Sequence, residues 1–136
     1  MSGSVFLDTN VLVYCYTAKE PVKQQQAQSA VSYPDVWIST QVCNEFSHIL
    51  FHKFRQDWPS VRKVLAELRS NFHIWNVSVD TAGLATALAE QTGYSFYDSL
   101  MLAAGIEANC GVLFTEELHH GQVIRGMQIR NPFLEA

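Results

Sequence analysis

Acidic residues stand in this chain where an apolar run stops or a helix is about to begin. Asp8 ends the run VFLD and is followed at once by Thr9 and Asn10. Glu45 lies in VCNEFSHIL, Asp98 in FYDSLMLAAG, and Glu116 and Glu117 follow Thr115 in LFTEEL. Carboxylates offer oxygen ligands only, and a set without Cys or His suits Mg2+ or Mn2+. Three or four of them in one half-buried cleft would repel one another and take up protons unless something positive sat between them.

Each acid also has an ordinary structural use. Asp8 and Asp98 are good N-cap residues, each able to accept from a free backbone N–H. Glu45 would serve as a flank residue of an amphipathic helix, and Glu116 and Glu117 as first-turn acids favoured by the helix dipole. Singly, these uses account for every acid except Asp8. Their joint placement is what points to a site.

That placement depends on the elements. Ser4 to Leu7 reads as a short, fully buried strand of the parallel kind, and Asn10 to Tyr16 as a short helix. Pro21 starts a second helix through Gln24 to Val31. Val36 to Ile38 is a further buried strand, and Thr40 to Phe54 has helical spacing, with Val42, Phe46, Ile49, Leu50 and Phe54 on one stripe. At 100° per residue Glu45 falls about 40° from Ile49, on the margin of that stripe. Pro59 opens a helix carrying Val61, Val64, Leu65 and Leu68. Ile74 to Val77 is a third strand, and Val79 to Thr92 a helix closed by Gly93. Ser99 to Ala108 is apolar on every side and rich in Ala and Gly, as a tightly packed central helix requires. Val112 to Phe114 is a strand, and Val123 to Ile129 one more, weaker strand. Strands alternating with helices predict an α/β fold: a central parallel sheet of about four to five short strands with helices on both faces. Ligands of such sheets bind outside the carboxyl ends of the strands, where Asp8 and Thr115 to Glu117 fall.

Composition narrows the class. The chain has 136 residues, 48% of them hydrophobic and 16% charged, which suits one folded domain spanning 1–136 and speaks against disorder. No apolar run reaches a membrane span, and the opening MSGSVFLDTN lacks the basic region of a signal peptide, so a cytoplasmic protein is expected. Cys15, Cys43 and Cys110 are odd in number and set in apolar company, as reduced core thiols would be. The net charge of −4 does not announce a nucleic-acid binder. The bases are uneven, however: Lys53, Arg55, Arg62, Lys63 and Arg69 crowd one stretch, where each singly reads as part of a solvated helix face and together they could still grip a polyanion locally.

The blocks VFLDTNVLVY, the Glu of VCNEF, YDSLMLAAG and LFTEELHHGQVIRGMQIRNPF, in that order, resemble a PIN domain, nearest to the VapC-type toxin ribonucleases of bacterial toxin–antitoxin pairs. The resemblance runs through essentially the whole chain. It implies a three-layer PIN-like fold and a metal-dependent endoribonuclease that uses Mg2+ or Mn2+. An antitoxin protein would neutralise it, and the family suggests a homodimer. Residue by residue, Asp8, Glu45 and Asp98 match the family's first three acids, and Thr115 its hydroxyl residue beside the fourth. Glu117 stands where the family usually has Asp, so its longer side chain would reach the metal through water. Thr9, Asn10, Thr115 and Glu116 would hold the acids in place. A cation among them would lower the pKa of a bound water and polarise the phosphoryl oxygens. The resemblance also implies products with a 5′-phosphate and a 3′-hydroxyl.

Two other readings use the same residues. A haloacid-dehalogenase-like phosphatase also begins with an apolar strand and Asp, but wants a second Asp where this chain has Asn10. A PIN-like module with a weakened site, binding RNA or protein without cutting, is favoured by Glu117. His48 and His52 lack the internal Glu of a zinc protease helix, and His119-His120 reads as a loop feature.

Overall fold

An unbroken apolar run can be sheltered on both faces only in the middle of a sheet. Strand β1, Ser4–Leu7, meets that condition, with all four residues buried. It belongs to a computed structural model that describes residues 3–134; the two residues at each end of the expected 1–136 domain lie outside the described residues.

After β1 come α1 (Thr9–Tyr16), α2 (Pro21–Ala30) with Pro21 in its first turn, and β2 (Asp35–Ser39). Next follow α3 (Thr40–His52), α4 (Trp58–Asn71) and β3 (His73–Trp75). Of these four helices, side-chain caps start three: Asp8 for α1, Ser39 for α3 and Asp57 for α4. Then come α5 (Val79–Thr92), α6 (Phe96–Glu107), β4 (Val112–Phe114), β5 (Val123–Ile124) and β6 (Met127–Arg130). Helix α5 opens with a reciprocal Ser78–Thr81 capping box and closes on Gly93, whose φ of 80° favours glycine.

The sheet runs in the order β3-β2-β1-β4-β6-β5, parallel throughout except for the β5–β6 pair. The chain steps outward from β1 to β3, then returns past β1 to form β4. Right-handed crossovers in opposite directions place their helices on opposite faces. The contacts agree, since α1 touches α2 and α3, α3 touches α4, and α5 packs on α6. Between the layers, Phe6, Leu7, Ile38, Leu102, Leu113 and Ile129 are fully buried. Helix α6 lies close on the sheet: a Cβ at Gly105 would stand 2.8 Å from Met127 Sδ and 3.4 Å from Phe6 Cβ.

Four expectations need correction. The sheet has six strands, not four to five, because Val123 to Ile129 is a hairpin: Arg125 (φ 49°) and Gly126 (φ 84°) form its two-residue turn. Helix α6 begins at Phe96, since Ser95 takes the capping place and accepts from Asp98 N at 3.2 Å. No helix carries Glu116 and Glu117, which lie in a loop. Of the three cysteines only Cys110 is buried, while Cys15 and Cys43 are half-buried; all three are free thiols. Among the described residues no helix is long and apolar enough to cross a membrane.

Candidate active site

Helices that follow or precede parallel strands start at the carboxyl edge of the sheet, and here three of them bring acids to that edge. Asp8 caps α1, Asp98 stands in the first turn of α6, and Glu45 lies on α3 just after β2. The order of the sheet reverses between β1 and β4, where α/β sheets open their ligand crevice. A cleft of about 460 Å³ lies there, and Asp8, Glu45, Asp98 and Glu117 all line it. Four of the five acids singled out in the sequence therefore share one cavity, and Glu116 does not line it.

Most of them are held. Asp8 Oδ1 accepts from Thr9 N at 2.7 Å, and its Oδ2 accepts from the hydroxyl of the fully buried Thr115 at 2.7 Å. Each carboxylate oxygen can accept again, so both remain able to take a ligand. Thr9, itself buried, donates its hydroxyl to Glu45 Oε1 at 2.5 Å, and Gln41 Nε2 donates to Glu45 Oε2 at 3.1 Å. Asn10 Nδ2 donates to Glu117 Oε1 at 2.8 Å, and Glu117 N donates to Thr115 Oγ1 at 3.2 Å. The side chain of Asp98 carries no hydrogen bond among the described residues.

Glu116 departs from expectation. It is half-buried and paired with Lys23, Nζ to Oε2 at 3.1 Å, whereas Glu117 is the exposed neighbour. Lys23 also donates to the Tyr14 hydroxyl, so this base neutralises Glu116 and does not reach into the cleft.

Electrostatics follow from this crowding. Burial pushes the Asp8 carboxyl up from 3.8 to about 6; the bonds from Thr115 and Thr9 oppose the rise, and Glu117 and Glu45 add to it. Partial desolvation raises Glu117, and the charges of Asp98, Glu116 and Glu45 raise it further against the bond from Asn10. An oxygen-only donor set short of counter-charge fits a hard divalent cation. Among the described residues no three His, Cys, Asp or Glu side chains stand close enough to form a finished ligand set. Carboxylates with nothing positive between them repel, so the set must draw in to bind an ion.

The sequence reading missed part of the cleft. Gln41, Asn44, Glu45 and His48 line it together, at the i, i+3, i+4, i+7 spacing of one helix face. Their spacing is legible in the sequence beside the apolar stripe of the same helix. His48 is exposed and lines the cleft, with its ring 4.2 Å from that of His52. Tyr97 was missed because its segment reads as a loop before the helix. Lys53, Arg55, Arg62, Lys63 and Arg69 are exposed and lie outside the cleft lining. His119 and His120 do stand in a loop, where His120 Nδ1 accepts from Asn131 N at 2.9 Å.

Solved structures share this architecture. A toxin–antitoxin complex from Klebsiella pneumoniae superposes with a TM-score of 0.71 at 24% identity, covering 94% of this chain and 97% of that one. VapC20 of Mycobacterium tuberculosis, described as a sarcin–ricin loop cleaving toxin, superposes with a TM-score of 0.67 at 18% identity, covering 83% of this chain and 91% of that one. DNA-bound VapBC from Salmonella typhimurium has a TM-score of 0.66 at 17% identity, covering 97% and 99%. No curated protein matches the sequence. The sequence model of the PIN domain matches residues 5–123, from the first strand into the hairpin, and by that match the chain belongs to the PIN domain family.

Proposed function

We propose that the protein is a divalent-metal-dependent endoribonuclease and the toxin of a toxin–antitoxin pair. The observation that carries the reading is the sharing of one cleft by Asp8, Glu45, Asp98 and Glu117 at the carboxyl edge of the sheet. It is supported by structures of the same fold described as a toxin–antitoxin complex and as a sarcin–ricin loop cleaving toxin.

Asp8, Asp98 and Glu45 are the residues that would hold Mg2+ or Mn2+, with Glu117 reaching it through water. The ion would supply an acidified water and charge stabilisation at the phosphoryl oxygens. The chain's own part is placement. Thr115 and Thr9 N fix the Asp8 carboxylate, Thr9 and Gln41 fix Glu45, and Asn10 keeps Glu117 turned toward the cleft. Asp98, whose carboxylate carries no hydrogen bond among the described residues, is the acid best able to move onto an ion. Attack of water on phosphorus and departure of the 3′-oxygen leave a 5′-phosphate and a 3′-hydroxyl. The partners in this reading are RNA, a cognate antitoxin protein and a second copy of the chain, in the cytoplasm.

The test is cleavage of RNA by the purified protein with Mg2+ or Mn2+. Cutting that stops with a chelator, and is lost in Asp98→Asn, supports the reading, as does growth arrest relieved by the antitoxin. RNA bound but never cut with either metal would favour a binding module, a reading to which the open arrangement of the acids lends some support.

A further inference from the structure

Resting on that reading, we infer that Tyr97, Asn44 and His48 form a subsite for one unpaired nucleotide beside the scissile phosphate. Its base would stack on the Tyr97 ring and its phosphate would meet the Asn44 and His48 side chains. All three line the same cleft as the four acids.

The cleft is chemically two-sided. Tyr97 comes immediately before Asp98 and is 66% exposed, although an aromatic ring left in water has surface to bury. Phe96 stands edge-on to it, ring centroids 5.3 Å apart at 79°, and props it from the side. Gln41 Nε2 donates to Tyr97 O at 3.3 Å while also donating to Glu45. The backbone that carries the ring is therefore tied to the helix that carries the acid. Both Gln41 partners are acceptors, so the amide orientation is fixed, and the remaining Oε1 is buried with no partner among the described residues. A buried unsatisfied carbonyl is costly, and Gln41 accepts that cost while holding ring and carboxylate in register.

The other side of the cleft is polar. Asn44 and His48, one turn apart on α3, are exposed and stand on either side of Glu45 in the sequence. Among the residues lining the cleft, His48 is the only one able to carry positive charge. A ligand that is planar and apolar at one end and anionic at the other matches this cross-section, and a nucleotide is such a ligand. In a duplex the base is stacked and paired, so a free aromatic platform selects RNA that is single-stranded or looped.

The test is binding of a short unpaired RNA, and of the same sequence in a perfect duplex, to protein carrying Asp98→Asn so that nothing is cut. Tyr97→Ala should weaken the unpaired RNA about tenfold, as loss of one base–aromatic stack does, and leave the duplex nearly unchanged. Tyr97→Phe, which keeps the ring, should bind as the parent does. Asn44→Ala with His48→Ala should weaken both RNAs. In the active protein Tyr97→Ala should raise KM more than it lowers kcat. Unchanged affinity in Tyr97→Ala overturns the subsite, and so does loss of a protein partner with RNA binding intact. The two readings fail separately. RNA cut equally well by Tyr97→Ala leaves the nuclease standing and removes the subsite. RNA bound through Tyr97 but never cut does the reverse.

Discussion

The Thr115 hydroxyl donates to Asp8 Oδ2 at 2.7 Å, joining the residue after β4 to the residue after β1 where the order of the sheet reverses. The backbone repeats the join, since Asp8 N donates to Phe114 O at 3.0 Å. Thr115→Val keeps the shape and deletes the side-chain bond. Leaving a half-buried carboxylate short of a donor should cost about 1–3 kcal/mol in urea unfolding at neutral pH. The same change should move the Asp8 titration, followed by NMR, still higher. An unmoved titration would show that the hydroxyl does not support this carboxylate.

The raised Asp8 carboxyl makes stability depend on pH in a direction opposite to that of most acids. Without metal, folded Asp8 keeps its proton up to about pH 6, while in the unfolded chain it gives it up near 3.8. Between those values the folded state binds more protons, so stability falls as pH rises, by at most about 3 kcal/mol, and the loss is complete above pH 6. Asp8→Asn should lack this component. Urea midpoints from pH 4 to 7 in chelator, compared between the two proteins, check it; parallel curves would contradict it.

Metal should reverse that loss. A ligand bound only by the folded state, at about 100 times its Kd, adds roughly 2.7 kcal/mol of stability. Mn2+ should therefore raise the melting temperature of the parent protein and shift Asp8→Asn and Asp98→Asn much less. Equal shifts in all three would mean that the ion acts elsewhere.

Glu116 and Glu117 are distinguished by what holds them. Glu117 is turned toward the cleft by Asn10, and Glu116 is occupied by Lys23. Glu117→Gln should slow cleavage by less than Asp98→Asn does, and Glu117→Asp should stay active. Glu116→Gln should cut RNA at the parent rate. If Glu116→Gln falls below Glu117→Gln across a metal titration, their roles are exchanged.

Much of this arrangement was legible in the sequence, because buried parallel strands are written as unbroken apolar runs. Ser4–Leu7 and Val112–Phe114 stand where such runs placed them, and the acids at their ends follow from sheet geometry. What escaped detection depended on competition between near neighbours. Ser95 and Asp98 are both good caps three residues apart, and the serine takes that place, which moves Tyr97 into the first turn of α6. The Arg125-Gly126 turn was hidden inside a segment of strand-like composition, and only the left-handed backbone at both positions divides it. The polar face of α3 carries no apolar residue to announce it, apart from Ile49 at its edge.

In the proposed reaction, Gly105 would tie reactivity to a contact remote from the cleft. Seven residues separate it from Asp98, about 10 Å along the helix axis. With no side chain at this position, α6 rests against Met127 and Phe6, and this seat acts as the fulcrum of a rigid lever whose far tip bears a carboxylate. One added methyl must displace the Met127 thioether or tilt the lever. Misplacement of a reacting group by about 1 Å can cost a hundredfold in rate. The spacing between Asp98 and Asp8 is thus calibrated in part by a missing methyl group at the opposite end of the helix, a site where damage to catalysis would arrive without any change in the acids themselves.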